Sequence, residues 1–499
     1  MEAYKNLEAR YRQITNLSEV QSIVAWDEAV MMPKGGSATR NQQLAELANT
    51  IQALATAPEI GQWIEQCEAM NHQLNDWQKA NLREMNRHYV QLSAIPPELN
   101  RELVVARMQC EQVWRELRAK NAWTEFKPHL QKVLDLTRET LTGLSHVFKT
   151  PIYDTALDMF SPGLTTQTVS DLFGQIGKEL PALVEHVIEK QKKEPVIVPQ
   201  GSFPMAAQKA LGLDLMKAVG FSMDNGRLDE SHHPFCGGTS QDVRITTRYA
   251  EDEFVSALMG VLHETGHAIY DQNLPREWHG QPVGNSCGMA VHESQSLLME
   301  MQVVRSHQFI QFALPFIEKH LGPYVKNRES LTVENLHRLV TRVEKGFIRV
   351  DADELTYPAH VILRFEIERD LVEDKWSLAE LPEVWDQKMQ KLLGLSTKGN
   401  FKDGCMQDVH WPSGAFGYFP AYTFGAVIAA QLFSTIEKSH PGIRDEVAKG
   451  KFTTIQSWLR EKIWSQGSKL NTLDLVKSAS GELSATPFLQ HLNRRYLGA

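Results

Sequence analysis

The sequence predicts a mainly α-helical protein, with a central groove and a small antiparallel β element beside its candidate site. Apolar residues recur at spacings of three and four along most of the chain, as in helices with one buried face. A single stretch near residue 245 alternates instead. No segment rich in proline, serine or charge separates the helices. We therefore expect residues 1–499 to form one unit, with two lobes around the groove.

The helical pattern is clearest where proline and glycine mark the breaks between segments. A capping threonine at position 165 or 166 begins one further helix. Residues 404–420 are rich in glycine and aromatic residues, so we predict an irregular loop of the kind that often carries binding residues. The other predicted helices cover residues 4–23, 37–56, 58–70, 75–92, 97–120, 125–148, 294–311, 333–345, 357–372, 382–393 and 422–436.

Residues 242–249 are predicted to form a strand, because Val243, Ile245 and Thr247 alternate with polar residues. An extended peptide can pair with the main chain of such a strand, which makes it a candidate substrate-binding edge. A small structural hairpin explains the same alternation. The pattern by itself does not separate these two interpretations.

Composition excludes several classes of function. The formal net charge of −9 disfavours a nucleic-acid-binding surface or a basic membrane-binding patch. The polar amino terminus lacks the apolar core of a signal peptide, and the apolar run over 424–430 is too short to span a bilayer. Five cysteines, scattered and without a CxxC pair, indicate reduced thiols. We therefore expect a cytoplasmic protein with no nucleic-acid or membrane partner.

A metal-binding motif lies in the predicted helix that contains His263, Glu264 and His267. Residues four apart lie on one side of a helix, so both imidazoles can hold the same Zn²⁺ ion. Glu264, between them, can accept a proton from a water activated by that metal. Two solvated histidines on a charged helix face are the alternative, which the neighbouring apolar residues Leu262 and Ile269 disfavour.

A catalytic zinc site needs a third protein ligand and one open position. We assign the third ligand to Glu293, which lies 293 − 267 = 26 residues after the second histidine, far enough for a connector and a second helix. The predicted cofactor is one Zn²⁺ per chain. Co²⁺ and Mn²⁺ suit the same ligands.

Five further motifs occur in order around this helix. They are His233-Pro234-Phe235, Asp242-Val243-Arg244-Ile245-Thr246, His292-Glu293-Ser294-Gln295, the segment 348–353 that reads IRVDAD, and the segment 404–411 that reads GCMQDVHW. With the zinc motif, this ordered set resembles the carboxypeptidase Taq family of metallocarboxypeptidases. Trp26-Asp27 and residues 32–36 extend the resemblance over essentially the whole chain.

The resemblance implies a large helical fold of the gluzincin type, built around a groove. It also implies a homodimer and the release of single residues from the free C-terminus of peptide substrates. Specificity would be broad, with poor action at proline.

Peptide hydrolysis also needs groups that stabilise the oxyanion and hold the substrate. By analogy with the related fold, His410 and Tyr422 are favoured for the oxyanion, and Tyr418 remains an alternative to Tyr422. Arg349 is the candidate for the substrate carboxylate, because the planar guanidinium of arginine suits that group. A salt-bridged surface arginine is the alternative interpretation for Arg349.

Weaker candidates complete the predicted site. Arg244 and His233 are assigned to substrate binding. Asp351, Asp353 and Asp408 are candidates for carboxylates that orient the ligand histidines. Two other functions fit the same metal motif, namely an oligopeptidase that cuts internal bonds and a non-catalytic binding protein with a structural metal. The presence of Glu264 disfavours the second, because a structural site needs no base.

Overall fold

Helices α1 to α6 occupy the first 148 residues of the computed structural model, which describes residues 1–232 and 234–498. All six predicted helices of this region are confirmed, and α1 continues seven residues beyond its predicted end at residue 23. Proline or asparagine at the start of several helices explains where they begin. Their bounds are α1 Glu2–Val30, α2 Ser37–Ala55, α3 Pro58–Ala69, α4 Asp76–Ser93, α5 Pro97–Ala119 and α6 Trp123–Phe148.

Three helices follow before the sheet: α7 Ile152–Phe160, α8 Thr166–Gln191 and α9 Met205–Ala218. The predicted cap of α8 is confirmed, because the side chain of Thr165 accepts a hydrogen bond from the backbone N–H of Thr168. Residues 192–204 connect α8 to α9.

A three-stranded sheet lies just before the helix that contains His263, Glu264 and His267. Its strands are β1 Gly226–Glu230, β2 Phe235–Thr239 and β3 Asp242–Thr247, in the order β1-β3-β2. The predicted strand is confirmed as β3. It forms an antiparallel hairpin with β2 and pairs with β1 in parallel, so the β element is mixed rather than wholly antiparallel. Helix α1 contacts β2, and Ser22 Oγ donates a hydrogen bond to the carbonyl of Gly238 at 2.9 Å.

The helices after the sheet build the core around the site. Helix α10 spans Val255–Gln272 and α11 spans Gly288–Leu297. The predicted continuous helix over 294–311 is wrong. A π-helical segment, Leu298–Val304, follows α11, and α12, His307–His320, begins afresh because Ser306 caps the N–H of Phe309.

The remaining helices lie within residues 333–497. The helices predicted over 357–372, 382–393 and 422–436 are confirmed with nearly the expected bounds. The predicted helix 333–345 ends early, since the N–H groups of Val343 and Glu344 bond to Gln191 and Asp353 instead of to a helical turn. Residues 404–419 form turns, as predicted. The bounds are α13 Val333–Val340, α14 Tyr357–Val372, α15 Leu381–Leu393, α16 Pro420–Ser439, α17 Ile443–Ala448, α18 Thr453–Lys462, α19 Thr472–Ser480 and α20 Thr486–Leu497.

Two apolar clusters organise the packing. The smaller one joins α1, α3 and α4, and the larger one runs from α5 to α20 and contains α10, α11 and α16. About 70% of the structure is helical. Within the residues that the structure describes, no helix combines the length and apolar character needed to cross a membrane.

Candidate active site

The two motif histidines and Glu293 meet between α10 and α11. Their candidate ligand atoms all lie within 4.8 Å of one another. His263 Nε2 is 4.0 Å from Glu293 Oε1, and His267 Nε2 is 3.5 Å from Glu293 Oε2. Ligands of a tetrahedral zinc ion lie about 3.3 Å apart, given bonds of about 2.0–2.1 Å. The three side chains therefore need only small movements to hold one divalent cation.

Two glycines allow Glu293 to approach the histidines. A Cβ atom at Gly266 on α10 would lie 2.6 Å from Ser296 Cα on α11. A Cβ atom at Gly425 on α16 would lie 2.8 Å from Glu293 Cβ. Both distances are too short for a side chain, so glycine at these positions lets the three helices pack closely enough to bring the ligand set together.

The ring of His263 is oriented by a carboxylate on the π-helical segment. Glu300 accepts a hydrogen bond from His263 Nδ1 at 2.8 Å and is itself held by Arg305 Nη2 at 2.7 Å. With the Nδ1 proton committed to Glu300, Nε2 is the nitrogen that faces Glu293, and it would bind a metal on losing its own proton.

The ring of His267 is oriented through a second histidine. His267 Nδ1 lies 2.6 Å from His292 Nδ1, and His292 Nε2 lies 3.0 Å from Asp271. One proton serves each contact: His267 Nδ1 donates to His292 Nδ1, and His292 Nε2 donates to the Asp271 carboxylate. His267 Nε2 then remains free for a metal.

The electrostatics of this cluster favour a cation. Burial lowers the pKa of His263, but the Glu300 hydrogen bond and the charges of Glu293 and Glu264 outweigh it and raise that pKa to about 10. Burial raises the pKa of Glu300, yet Arg305 and His263 bring it down to about 2. Three buried carboxylates around two imidazoles therefore stabilise positive charge, and a divalent cation fits this donor set.

These ligands line one wall of a cavity of about 600 Å³. Glu264 lies on the same wall, and no side chain of the described residues forms a hydrogen bond to its carboxylate. The cavity is also lined by Arg349, Tyr357, Tyr418 and Tyr422.

Arg349 is a buried arginine at this cavity and is only 5% exposed. Its Nε donates to Asp408 at 2.9 Å, and its Nη1 donates to the Tyr357 hydroxyl at 2.6 Å. Its guanidinium carbon lies 4.9 Å from the centre of the Tyr422 ring. A solvated surface salt bridge is therefore wrong for Arg349. The guanidinium is held rigidly, with its charge directed to a cavity that also contains the candidate metal ligands.

His410, Tyr418 and Tyr422 form an aromatic group on the loop after α15 and the start of α16. His410 Nε2 lies 3.1 Å from the Tyr422 hydroxyl, and the rings of Tyr418 and Tyr422 are 5.4 Å apart. Burial and the charge of Arg349 lower the pKa of His410 to about 4, so its imidazole is neutral near pH 7. Both tyrosines line the metal cavity, which puts either hydroxyl in a position to donate there.

The sequence was also compared with known proteins. It matches the family model described as carboxypeptidase Taq (M32) metallopeptidase over residues 6–496. The chain belongs to this family. It is 36% identical to thermostable carboxypeptidase 1 of Thermus thermophilus, covering 99% of this chain and 98% of that protein. It is 32% identical to carboxypeptidase 1 of Bacillus subtilis, covering 97% and 96%. The chain is thus a metallocarboxypeptidase.

Solved structures of M32 carboxypeptidases share the fold over their whole length. Metallocarboxypeptidase 1 of Trypanosoma cruzi matches with a TM-score of 0.97 at 41% identity, covering 99% of both chains. A carboxypeptidase of Pyrococcus furiosus matches with a TM-score of 0.94 at 31% identity, also covering 99% of both. The predicted helical fold of this family is confirmed.

Two predicted substrate-binding residues are not found at the metal cavity of this M32 chain. Arg244 is not among its described lining residues. Its guanidinium pairs with Asp242 at 2.6 Å and lies 4.4 Å from the centre of the Trp26 ring. His233 lies outside the described residues.

The three candidate aspartates do not contact the ligand histidines. Asp408 bonds to Arg349 and Arg364. Asp353 accepts bonds from the backbone of residues 344, 355 and 356, and Asp351 is exposed. This part of the prediction is wrong. Glu300 is the carboxylate that contacts His263, and Asp271 acts on His267 through His292. A sequence signal existed for Glu300, because it follows Glu293 by seven residues, a spacing that puts two residues on the same side of a regular α-helix.

Proposed function

We propose that the chain is a zinc-dependent carboxypeptidase that releases single residues from peptides with a free C-terminus. One observation carries the proposal: a rigid, buried guanidinium, that of Arg349, lines the same cavity as the His263, His267 and Glu293 cluster. An exopeptidase needs both a hydrolytic centre and a group that recognises the terminal carboxylate at a short, defined distance from it.

Zinc is the proposed metal, with Co²⁺ and Mn²⁺ as possible substitutes. Two imidazoles and one carboxylate are a common ligand set of catalytic zinc, and they leave one position open. When bound, the cation supplies a Lewis acid and lowers the pKa of water to about 7. His263, His267 and Glu293 would hold it, with Glu300 and His292 fixing the two rings.

Glu264 is the proposed general base. It lies between the two histidines and lines the cavity, and its carboxylate has no side-chain partner among the described residues. It would accept a proton from the attacking water and then deliver that proton to the nitrogen of the departing residue.

Tyr422 and His410 are proposed to stabilise the negative charge that develops on the carbonyl oxygen. The Tyr422 hydroxyl lies at the cavity wall, and His410, neutral near pH 7, lies 3.1 Å from it and keeps it in place. Tyr418 lies beside them and is proposed to contact the substrate. Donors that are already oriented lose little free energy to reorganisation when the charge appears.

Arg349 is proposed to bind the terminal carboxylate. Asp408 and Tyr357 fix its orientation, and a carboxylate bound to it would lie in the same cavity as the candidate metal ligands. Methionines at positions 289 and 301 also line the cavity and adapt to different side chains, which supports broad specificity. A C-terminal proline has a fixed φ, which restricts how its carboxylate meets a rigid arginine and supports poor cleavage there.

Arg244 and His233 are kept as proposed substrate contacts. Each chain is proposed to form a single unit, and two chains are proposed to form a cytoplasmic homodimer. The five cysteines are free, which supports a reducing compartment. The family resemblance supports the dimer. Light scattering on the purified protein would measure its mass in solution, and a monomer at working concentrations would contradict the dimer.

The deciding experiment is a digestion followed by mass spectrometry. Purified protein, with its metal content measured, is incubated with an unblocked peptide and with the same peptide as a C-terminal amide. We expect a ladder that loses one residue at a time from the free peptide only, and no ladder after chelation. Paired internal fragments would instead indicate an oligopeptidase.

A further inference from the structure

A separate pocket of about 210 Å³ lies where the end of α8, helix α13 and helix α20 meet. We call it the basic pocket. Its charged and histidine lining residues are Lys190, Glu194, His337, Arg338, Arg342 and Arg495. Among these described lining residues, four permanent cations face a single carboxylate. In a chain whose formal net charge is −9, this is a local reversal of sign.

Internal pairing neutralises the basic pocket only in part. Glu194 lies 3.8 Å from Lys190, and Glu354, which is not a lining residue, lies 2.7 Å from Arg495, so two of the four cations are paired. Arg342 Nη1 donates only to backbone carbonyls, those of Gln191 at 3.0 Å and Glu194 at 3.2 Å. Burial and the charges of Arg495, His307 and Arg338 lower the pKa of His337 to about 4, so this imidazole is neutral at pH 7 and offers hydrogen bonds without charge.

Arg495 is the buried cation of the pocket, with its side chain only 6% exposed. Its Nη1 donates to Glu354 at 2.7 Å. Arg495 lines the pocket. Within the described part of the chain, no hydrogen-bond partner is found for its other N–H groups. A guanidinium fixed by one carboxylate, with further N–H groups and with three other cations around the same pocket, is an arrangement that suits an oxyanion.

We propose that the basic pocket binds a small oxyanion of high charge, with a phosphate group as the ligand class. The planar fork of arginine matches phosphate oxygens, and several cations around one site favour a dianion over a single carboxylate. A pocket of about 210 Å³ admits a small molecule and excludes folded macromolecules.

Glu354 connects the basic pocket to the metal cavity. Besides Arg495, it accepts hydrogen bonds from His491 at 2.7 Å and from the Tyr496 hydroxyl at 3.0 Å. It lines the metal cavity and follows Arg349 by five residues on the same segment. An anion on Arg495 weakens the hold of that arginine on Glu354. We therefore expect a bound anion to loosen the Arg349 segment and raise the KM for peptides, an effect that rests on the proposed function.

The binding test uses the metal-loaded, full-length protein and inorganic phosphate as the probe. Phosphate is titrated calorimetrically at constant ionic strength into the wild type and into Arg338→Glu and Lys398→Glu. Arg338 is exposed and no side-chain bond of it is found among the described residues, so its replacement leaves the fold intact. Lys398 is exposed, lies outside the pocket and gives the same change in charge.

We expect phosphate affinity to fall at least about tenfold in Arg338→Glu and to be unchanged in Lys398→Glu. Equal affinity in all three proteins would place the anion elsewhere, at the metal or on the surface, and would overturn the proposal. So would the absence of binding to the wild type at millimolar phosphate.

The link to the metal cavity is tested by peptide kinetics with and without phosphate. A rise in KM in the wild type and in Lys398→Glu, but not in Arg338→Glu, supports it. An identical change in all three proteins would indicate phosphate at the metal and would remove the link. A protein that hydrolyses no peptide at all would contradict the proposed function, while the binding result would stand by itself.

Discussion

His263 Nδ1 lies 2.8 Å from a carboxylate oxygen of Glu300, and Arg305 holds that same carboxylate from the other side. The contact fixes which nitrogen of His263 faces Glu293. It also places a buried negative charge behind the imidazole, which increases the ability of the ring to donate electrons to a cation.

Replacing Glu300 with glutamine should therefore weaken metal binding. We expect a loss of about 10–100-fold in zinc affinity, because the amide keeps the shape but not the charge behind His263. Competition with a chromophoric chelator would measure it. Glu318→Gln, at an exposed position on α12, is the matched control and should keep the wild-type affinity. Equal affinity in the two variants would argue against an orienting role for Glu300.

Gly425→Ala tests the close packing of α16 against Glu293. The new Cβ would lie 2.8 Å from Glu293 Cβ, so Glu293 must move away from the histidines. We expect destabilisation of about 1–3 kcal/mol and weaker metal binding. Gly143→Ala on α6 is the control, since no atom lies within 4 Å of its new Cβ. Calorimetric unfolding with and without zinc measures both effects, and normal metal affinity in Gly425→Ala would contradict the packing argument.

Glu264→Gln should separate metal binding from catalysis. The amide cannot accept the proton of the attacking water, so we expect kcat to fall by about 10²–10⁴-fold. Metal content should remain at the wild-type value, because Glu264 is not among the three clustered ligands. Atomic absorption and a peptide assay on the same sample provide both numbers. If turnover survives with the metal in place, Glu264 is not the base.

Arg349→Ala should affect substrates according to their C-terminus. For peptides with a free carboxylate we expect kcat/KM to fall about 10–100-fold, the value of one or two charge-assisted hydrogen bonds. The amidated peptides, which lack that charge, should lose much less. Arg115→Ala, at an exposed position on α5, controls for the loss of an arginine. Equal losses on both substrates would exclude recognition of the carboxylate.

Glu368 predicts a pH dependence of stability. This buried carboxyl accepts bonds from Tyr153 at 2.6 Å, Trp411 at 2.8 Å and the N–H of Gly417 at 2.9 Å, and burial raises its pKa to about 7. A carboxyl with a raised pKa in the folded state binds its proton more tightly there than in the unfolded chain. Its contribution is therefore complete below about pH 4.5 and is lost as the pH rises to about 7.

Between pH 4.5 and 7.5 the free energy of unfolding of the wild type should consequently fall relative to that of Glu368→Gln, by a few kcal/mol at most. Urea unfolding of both proteins at several pH values measures the difference. A difference that does not vary with pH would show that Glu368 does not titrate in this range.

Glu368 also supports the loop that carries His410 and Tyr418, because its partners Trp411 and Gly417 are the chain neighbours of these two residues. We therefore expect Glu368→Gln to lower kcat by a larger factor than it changes KM.

Much of the helical framework follows from local sequence. Caps and prolines mark the starts of several helices, and a 3.6-residue apolar period needs no distant partner to be recognised. The prediction failed where distant contacts decide the backbone. The predicted helix over 333–345 does not continue to its expected end, because Gln191 and Asp353 bind the N–H groups of Val343 and Glu344. Neither partner is visible in the local pattern.

The candidate site divides in the same way. The spacing of His263 and His267 on one helix is a local property. Glu293 could be predicted as the third ligand from its separation from His267 in the sequence. The aspartates proposed to orient these histidines belong to the motif segments 348–353 and 404–411, and they do not contact the histidines. The structure instead brings Glu300 to His263 and Asp271, through His292, to His267.

The sequence alone determined most of the helical framework, which residues can bind a metal and which family the motifs resemble, because these depend on periodicity, spacing and residue chemistry. Only the tertiary structure decided that Arg349 and Tyr422 line one cavity with the ligand cluster, and that Arg244 does not. The physical reason is that the cavity is lined by segments that are far apart in the sequence. Which segments meet depends on how the apolar faces of α10, α11 and α16 pack together.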